Sequence, residues 1–131
     1  MYDYSRWPNF SENELICSAS GYENPNVGAF TELMDNVQLL RDYLGFPFQV
    51  NSAYRSELHP IEAAKIIAGK RAGLHNYAAI DIYVPIEYCY DFIAAAIQFG
   101  FTGIGVNLKG DLKGRFIHLD RRTSPPRVWS Y

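Results

Sequence analysis

The spacing of apolar residues predicts three main helices. Apolar positions recur at helical intervals from 28 to 44, and Gly45 ends that run. A second helix is predicted over 60–71, because Pro60 stands at a favoured helix start. A third is predicted over 86–99, where apolar residues again recur at helical spacing.

A short helix and several strands complete the pattern. Ser11 and Glu14 have the spacing of a capping box, which predicts a short helix after Ser11. Alternating or compact apolar runs predict strands at residues 48–54, 78–84, 103–107 and 115–120. This order favours one α+β domain over residues 1–131, with helices packed on a small, mainly antiparallel sheet.

Composition narrows the class of protein. Of the 131 residues, 48% are hydrophobic and 20% charged, as in ordinary soluble globular proteins. The net charge of −2 gives no basic surplus that would indicate a nucleic-acid partner, and no apolar run approaches the ~20 residues of a membrane span. The first residues lack a signal-peptide pattern, so we expect synthesis in the cytoplasm. Two cysteines are too few for a disulfide framework or a thiolate zinc site.

One carboxylate interrupts an apolar strand. Within 78–84, the residues Ile80, Ile82 and Val84 form an apolar face, and Asp81 lies among them. A buried, unpaired carboxylate costs several kcal/mol or takes up a proton. Asp81 therefore requires a partner.

Two histidines are candidates for that partner. Side chains alternate along a strand, so His118 and Asp120 share one face of the strand at 115–120. If the polar faces of the two strands line one groove, His75, Asp81 and His118 converge. Two imidazoles and one carboxylate suit zinc, with a fourth position left for water. The alternative is a plain hydrogen-bonded pair of His75 and Asp81.

Arg55 is a second candidate functional residue. It lies in "NSAYRS", just past a predicted strand and ahead of a turn. A planar guanidinium in such a place suits bidentate binding of a carboxylate. The alternative is a surface salt bridge.

Several motifs in order resemble the M15 zinc peptidases. They are "SAYRS", "HPIEAAK", "LHNYAAIDI", "FGFTGIGVN", "GRFIHLD" and "WSY". The resemblance runs from about "NFSENEL" to the end of the sequence and is strongest to the D-Ala-D-Ala carboxypeptidase-like members from bacteria and bacteriophages. It implies the α+β fold shared by D-Ala-D-Ala metallopeptidases and the hedgehog signalling domain.

The resemblance also implies roles for individual residues. It makes His75, Asp81 and His118 the ligands of one Zn²⁺, and Arg55 the residue that holds a substrate carboxylate or carbonyl. Ser52 and Tyr54 belong to the same motif as Arg55, and the resemblance implies that they shape the substrate site. The sequence departs from the family pattern between His75 and Asp81. Five residues separate them here, whereas the family usually has six, one of which is glycine.

The general base is less clearly indicated. Family members place a glutamate or a histidine shortly before the last zinc ligand, but those positions are Arg115 and Phe116 here. Asp120 remains, either as a base or as a residue that orients His118 by a hydrogen bond. Glu62 follows the predicted start of a helix, where the helix dipole favours an acidic residue.

The resemblance implies zinc-dependent hydrolysis of a peptide bond in peptidoglycan stem peptides. The enzyme would act on the cell wall as a D,D-carboxypeptidase or an endopeptidase, and a phage endolysin or virion role fits its small size. We expect a monomer. Two alternatives remain: a zinc-binding structural or virion domain that has lost hydrolysis, and a metal-free domain that binds a peptide carboxylate through Arg55.

Overall fold

A five-stranded sheet organises the protein. In the computed structural model, which describes residues 1–131, the strand order is β1-β2-β4-β3-β5. The strands are β1 (Gln49–Ser52), β2 (Ala79–Tyr83), β3 (Gly103–Asn107), β4 (Phe116–Asp120) and β5 (Arg127–Ser130). All neighbouring strands are antiparallel except β3 and β5, which are parallel. The α+β prediction and the mainly antiparallel sheet are confirmed. The sequence pattern predicts no strand at β5, which has only four, mostly exposed residues.

The chain also forms four α-helices. They are α1 (Glu12–Leu15), α2 (Val27–Leu44), α3 (Pro60–Ile67) and α4 (Cys89–Gln98). Ser11 and Glu14 form the predicted capping box, and Gly45 ends α2 with a positive φ of 77°. The α3 helix ends earlier than predicted, because Gly69 takes a left-handed conformation that stops a helix. No helix combines the length and the apolar character needed to cross a membrane.

The apolar face of the sheet packs against α2 and α4. Its central members are the fully buried side chains of Ile80, Ile82, Ile117 and Leu119. They follow alternate positions of β2 and β4, as the period of a strand requires. Helix α3 contributes no side chain to this core, and its one buried residue is Glu62.

Candidate metal centre

A row of side chains crosses the polar face of all five strands. The strand register places Asp81 opposite Ser52 on one side and His118 on the other. It then places Gly105 opposite His118, and Trp129 opposite Gly105. Side chains opposite one another in adjacent strands lie on the same face. The sheet therefore brings together Asp81 and His118, as the alternation of residues predicts.

A loop before β2 supplies His75. It lies in a 3₁₀ turn, Leu74–Asn76, that is hydrogen-bonded to the segment after β1. Arg55 N–H donates to the carbonyl of His75 at 2.8 Å, and the Asn76 side chain donates to the carbonyl of Arg55 at 2.9 Å. These bonds position His75 so that its Nε2 lies 3.0 Å from Oδ1 of Asp81. The five residues between His75 and Asp81 are one fewer than the family usually has, yet they still bring the two side chains together.

The three candidate ligands form one buried cluster. Oδ1 of Asp81 lies 3.0 Å from Nε2 of His75 and 3.0 Å from Nδ1 of His118. One ligand atom from each of the three residues lies within 4.8 Å of the other two. The two imidazole rings meet edge to face, with centroids 5.1 Å apart.

The outer nitrogens of both rings fix their tautomers. Nδ1 of His75 lies 2.6 Å from the carbonyl oxygen of Ala53, which only accepts, so Nδ1–H must donate. Nε2 of His118 lies 2.7 Å from Oδ2 of Asp120 and donates in the same way. The inner nitrogen of each neutral ring then directs a lone pair at Asp81.

Three lone pairs that converge need a cation between them. Either both rings carry a second proton, or a metal ion lies among His75, Asp81 and His118. Ligand atoms at the corners of a tetrahedral zinc site with bonds of ~2.0–2.1 Å are ~3.3 Å apart. The 3.0 Å separations are close to that value. The donor set and these two separations therefore fit zinc.

The charges of the cluster are strongly coupled. Burial raises the pKa of Asp81, but the hydrogen bonds it accepts when the inner nitrogens of His118 and His75 carry a proton outweigh burial and hold this pKa far below its usual range. Burial also disfavours the protonated form of His118, yet its hydrogen bonds to Asp120 and Asp81 raise its pKa. Asp81 is therefore an ionised carboxylate at neutral pH, as a metal ligand must be.

Asp120 is held by both His118 and Arg122. The Arg122 guanidinium donates to Oδ1 of Asp120 at 2.9 Å and to Oδ2 at 2.6 Å, and the Arg122 backbone N–H donates to Oδ1 at 3.1 Å. Burial raises the pKa of Asp120, but the bonds from Arg122 and His118 outweigh it and lower the pKa far below its usual range. Asp120 is fully buried.

Two glycines of β3 make room for this arrangement. A Cβ atom at Gly103 would lie 2.2 Å from a carboxylate oxygen of Asp120, and one at Gly105 would lie 2.6 Å from the Trp129 ring. Such distances are far inside van der Waals contact. Because Gly105 leaves this space open, the Trp129 side chain lies over it, and the centroids of the Trp129 and His118 rings are 5.2 Å apart.

Arg55 lies beside the cluster. Its Nε donates to Oγ of Ser52 at 3.0 Å, and its Nη2 lies 3.4 Å from Oδ2 of Asp81. A cavity of about 260 Å³ is lined by the three candidate ligands together with Arg55, Trp129 and other residues. A second cavity, of about 430 Å³, is lined in part by Ser52, Tyr54 and Arg55.

Sequence reasoning missed several residues of the site. Arg122 lies outside every motif quoted above, and Trp129 and the two β3 glycines lie in motifs to which no role in the site was assigned. The alternation of Gly103 and Gly105 in "GIGVN" was the one available signal, since glycine within a strand often marks close approach of another group. Glu62, expected only to complement a helix dipole, is buried next to Arg55.

Fold and site together define a class. A small α+β domain that has a buried His–Asp–His cluster able to hold a metal ion, with an arginine beside it, is typical of the hydrolytic metal enzymes. A family model described as Peptidase M15 matches residues 8–120, and the chain belongs to this family. Membership implies a metallopeptidase, and the resemblance found in the sequence is confirmed. No curated protein matches the chain.

Proposed function

We propose that this protein hydrolyses a peptide bond in the stem peptides of bacterial peptidoglycan, with one Zn²⁺ held by His75, Asp81 and His118. The observation that carries the proposal is the convergence of three lone pairs beside Arg55 in a chain of the M15 family. When bound, zinc supplies a Lewis acid that polarises the scissile carbonyl and activates water. A role in phage lysis or in a virion is proposed from the resemblance alone.

Arg55 binds the carboxylate of the substrate in this proposal. Its side chain is largely buried, with 15% of it exposed, so a bound carboxylate would be partly shielded from water. Ser52 accepts a hydrogen bond from Nε, which orients the guanidinium beside the cluster. Tyr54 is buried next to this residue and shapes the neighbouring cavity.

Asp120 orients His118 in this proposal. Sequence reasoning left it open whether Asp120 is a base or an orienting residue. Both of its carboxylate oxygens accept hydrogen bonds from Arg122, and one also contacts His118. These contacts support the orienting role, in which the carboxylate keeps the proton on Nε2 and the Nδ1 lone pair directed at the metal.

The same contacts favour a second candidate function. An Asp120 carboxylate held by Arg122 has little freedom to accept a proton from water, and Arg115 and Phe116 stand where relatives have a base. A metal-binding structural or virion domain without hydrolysis would retain the ligands and lack the base.

Metal content is the first experiment. We expect about one zinc per chain by elemental analysis of protein purified without added metal, and loss of that zinc in His118→Ala. His59→Asn is the matched control, because His59 lies outside the cluster and asparagine also caps a helix. Protein without stoichiometric metal, or a His118→Ala variant that keeps it, would overturn the metal site.

Hydrolysis is the second experiment. In a gel containing purified peptidoglycan, we expect a cleared band for the wild type and none for His118→Ala. Release of free D-alanine from stem peptides would identify a carboxypeptidase, and cleavage of cross-links an endopeptidase. Zinc retention with no cleared band and no released product would support the second candidate function instead.

A further inference from the structure

Glu62 in α3 has an unusual environment. Its side chain is fully buried, and its Oε1 accepts a hydrogen bond from the backbone N–H of Gly73 at 2.6 Å. Oε2 has no hydrogen-bond partner, and instead lies 3.6 Å from Nζ of Lys65 and 3.8 Å from Nη1 of Arg55. Buried carboxylates are costly unless both oxygens are compensated. A favourable position near the start of a helix does not by itself offset this cost.

One oxygen of Glu62 holds the segment that leads to a candidate ligand. Gly73 is two residues before His75, at the start of the 3₁₀ turn. A Cβ at Gly73 would lie 2.6 Å from Nζ of Lys65 and 3.2 Å from Oε1 of Glu62. A side chain at this position would therefore displace the end of Lys65 and press on the carboxylate by a few tenths of an ångström.

The other oxygen of Glu62 faces the arginine. Each nitrogen of the Arg55 guanidinium has a different neighbour: Ser52 at Nε, Asp81 at Nη2 and Glu62 at Nη1. Of the two carboxylates, Asp81 is committed to the metal in the proposed function. Glu62 is then the counter-charge that remains to hold the Nη1 end of Arg55.

We infer that Glu62 is a positioning residue that links the His75 loop to Arg55. Oε1 fixes the backbone before His75, and Oε2 holds the guanidinium where it receives the substrate carboxylate. The inference rests on the proposed function for the role of Arg55. The two oxygens serve different partners, so two substitutions at this residue separate their effects.

Glu62→Gln removes the charge and keeps an oxygen that accepts from Gly73. We expect unchanged zinc affinity, measured by competition with a chelator. We expect the affinity of the zinc-loaded protein for a peptide ending in D-Ala-D-Ala to fall roughly tenfold by calorimetry, as for loss of one charged contact. Glu57→Gln is the matched control: it makes the same chemical change on an exposed residue two positions after Arg55, and both affinities should stay the same.

Glu62→Ala removes both oxygens. Zinc affinity should now fall as well, by roughly 10–100-fold, as when a residue that supports a metal ligand is lost. In metal-free protein, the Gly73 amide should exchange with solvent faster than in the wild type and in Glu62→Gln, as followed by NMR. Should the alanine variant not fold, Glu62→Asp tests the same bond, because its shorter side chain withdraws the carboxylate from the Gly73 N–H.

The outcomes separate this inference from the proposed function. Failure of the proposed function shows in the wild type, as absence of zinc or of hydrolysis. Failure of the inference shows as Gly73 exchange that is equal in wild type and Glu62→Ala, or as a Glu62→Gln variant with wild-type peptide affinity. Loss of zinc in Glu62→Gln would also overturn it, since the Gly73 hydrogen bond is preserved there.

Discussion

The two faces of strands β2 and β4 are equally buried but are stabilised differently. Asp81, His118 and Asp120 on the polar face are 5%, 5% and 0% exposed, as little as the isoleucines and leucine on the opposite face. Each apolar side chain gains ~1.5–3 kcal/mol by leaving water. The polar side chains gain stability only when their lone pairs and protons are matched. Burial alone therefore does not separate a core from a site; the matching of polar groups by partners does.

The largest effect is expected on the apolar face. Leu119→Ala removes a fully buried side chain of β4 and should lower the free energy of unfolding by ~2–5 kcal/mol. The zinc affinity of the folded variant should stay at the wild-type value, because the side chain points away from His118 and Asp120. Urea unfolding of metal-free protein and chelator competition measure the two quantities. A large loss of zinc affinity would show that the two faces are not independent.

The next effect concerns the polar face itself. Asp81→Asn replaces the anionic ligand candidate by a neutral amide and should weaken zinc binding by more than ~100-fold. Asp120→Asn disturbs the orientation of His118 and the pairing with Arg122 but removes no candidate ligand, and it should weaken zinc binding by ~10–100-fold. Chelator competition on both variants measures the difference. Equal losses would contradict the division between a ligand and a residue that orients one.

A smaller effect is expected from the glycine beside Asp120. Gly103→Ala introduces a Cβ that would lie 2.2 Å from the Asp120 carboxylate, so the carboxylate must move away from His118. We expect a loss of ~1–3 kcal/mol in unfolding free energy from overpacking. Zinc affinity should fall by ~10-fold, since the support of a ligand is weakened.

Gly28→Ala is the control for that substitution. Gly28 lies in α2 with open space at its Cβ position, so alanine should stabilise the helix by up to ~1 kcal/mol and leave zinc affinity unchanged. If Gly103→Ala loses neither unfolding free energy nor zinc affinity, as expected of Gly28→Ala, the space beside Asp120 is larger than the structure indicates.

The smallest expected effect is a change of stability with pH that arises from Tyr2. Burial, together with nearby Glu23, raises the pKa of Tyr2 to about 12. The folded-state pKa exceeds the unfolded value of ~10, so the stabilisation is complete below pH 10 and is lost as the pH rises toward 12. Between about pH 10 and 12, the melting temperature of Tyr2→Phe should therefore fall less than that of the wild type, as measured by thermal unfolding. Tyr90→Phe, at a highly exposed position, should follow the wild type.

Periodicity predicted most of the fold. Helix α2 and strands β2, β3 and β4 lie within a residue or two of their predicted bounds, because a buried stripe or face leaves a regular pattern in the sequence. The end of α3 was wrong, since the helical pattern continues past Gly69 although the backbone does not. Strand β5 was missed because an exposed edge strand of four residues leaves almost no pattern.

The sequence by itself determined which side chains carry the chemistry. Alternation along two strands placed Asp81 on one polar face and His118 with Asp120 on another, and the family motifs pointed to His75 and Arg55. Only the tertiary structure decided how they meet. The register of β2 with β4 sets Asp81 opposite His118, and hydrogen bonds between distant segments bring in Arg122 and Glu62. Local sequence encodes the direction of a side chain, whereas the partner it meets depends on strand register and loop packing, which are fixed only when the whole chain folds.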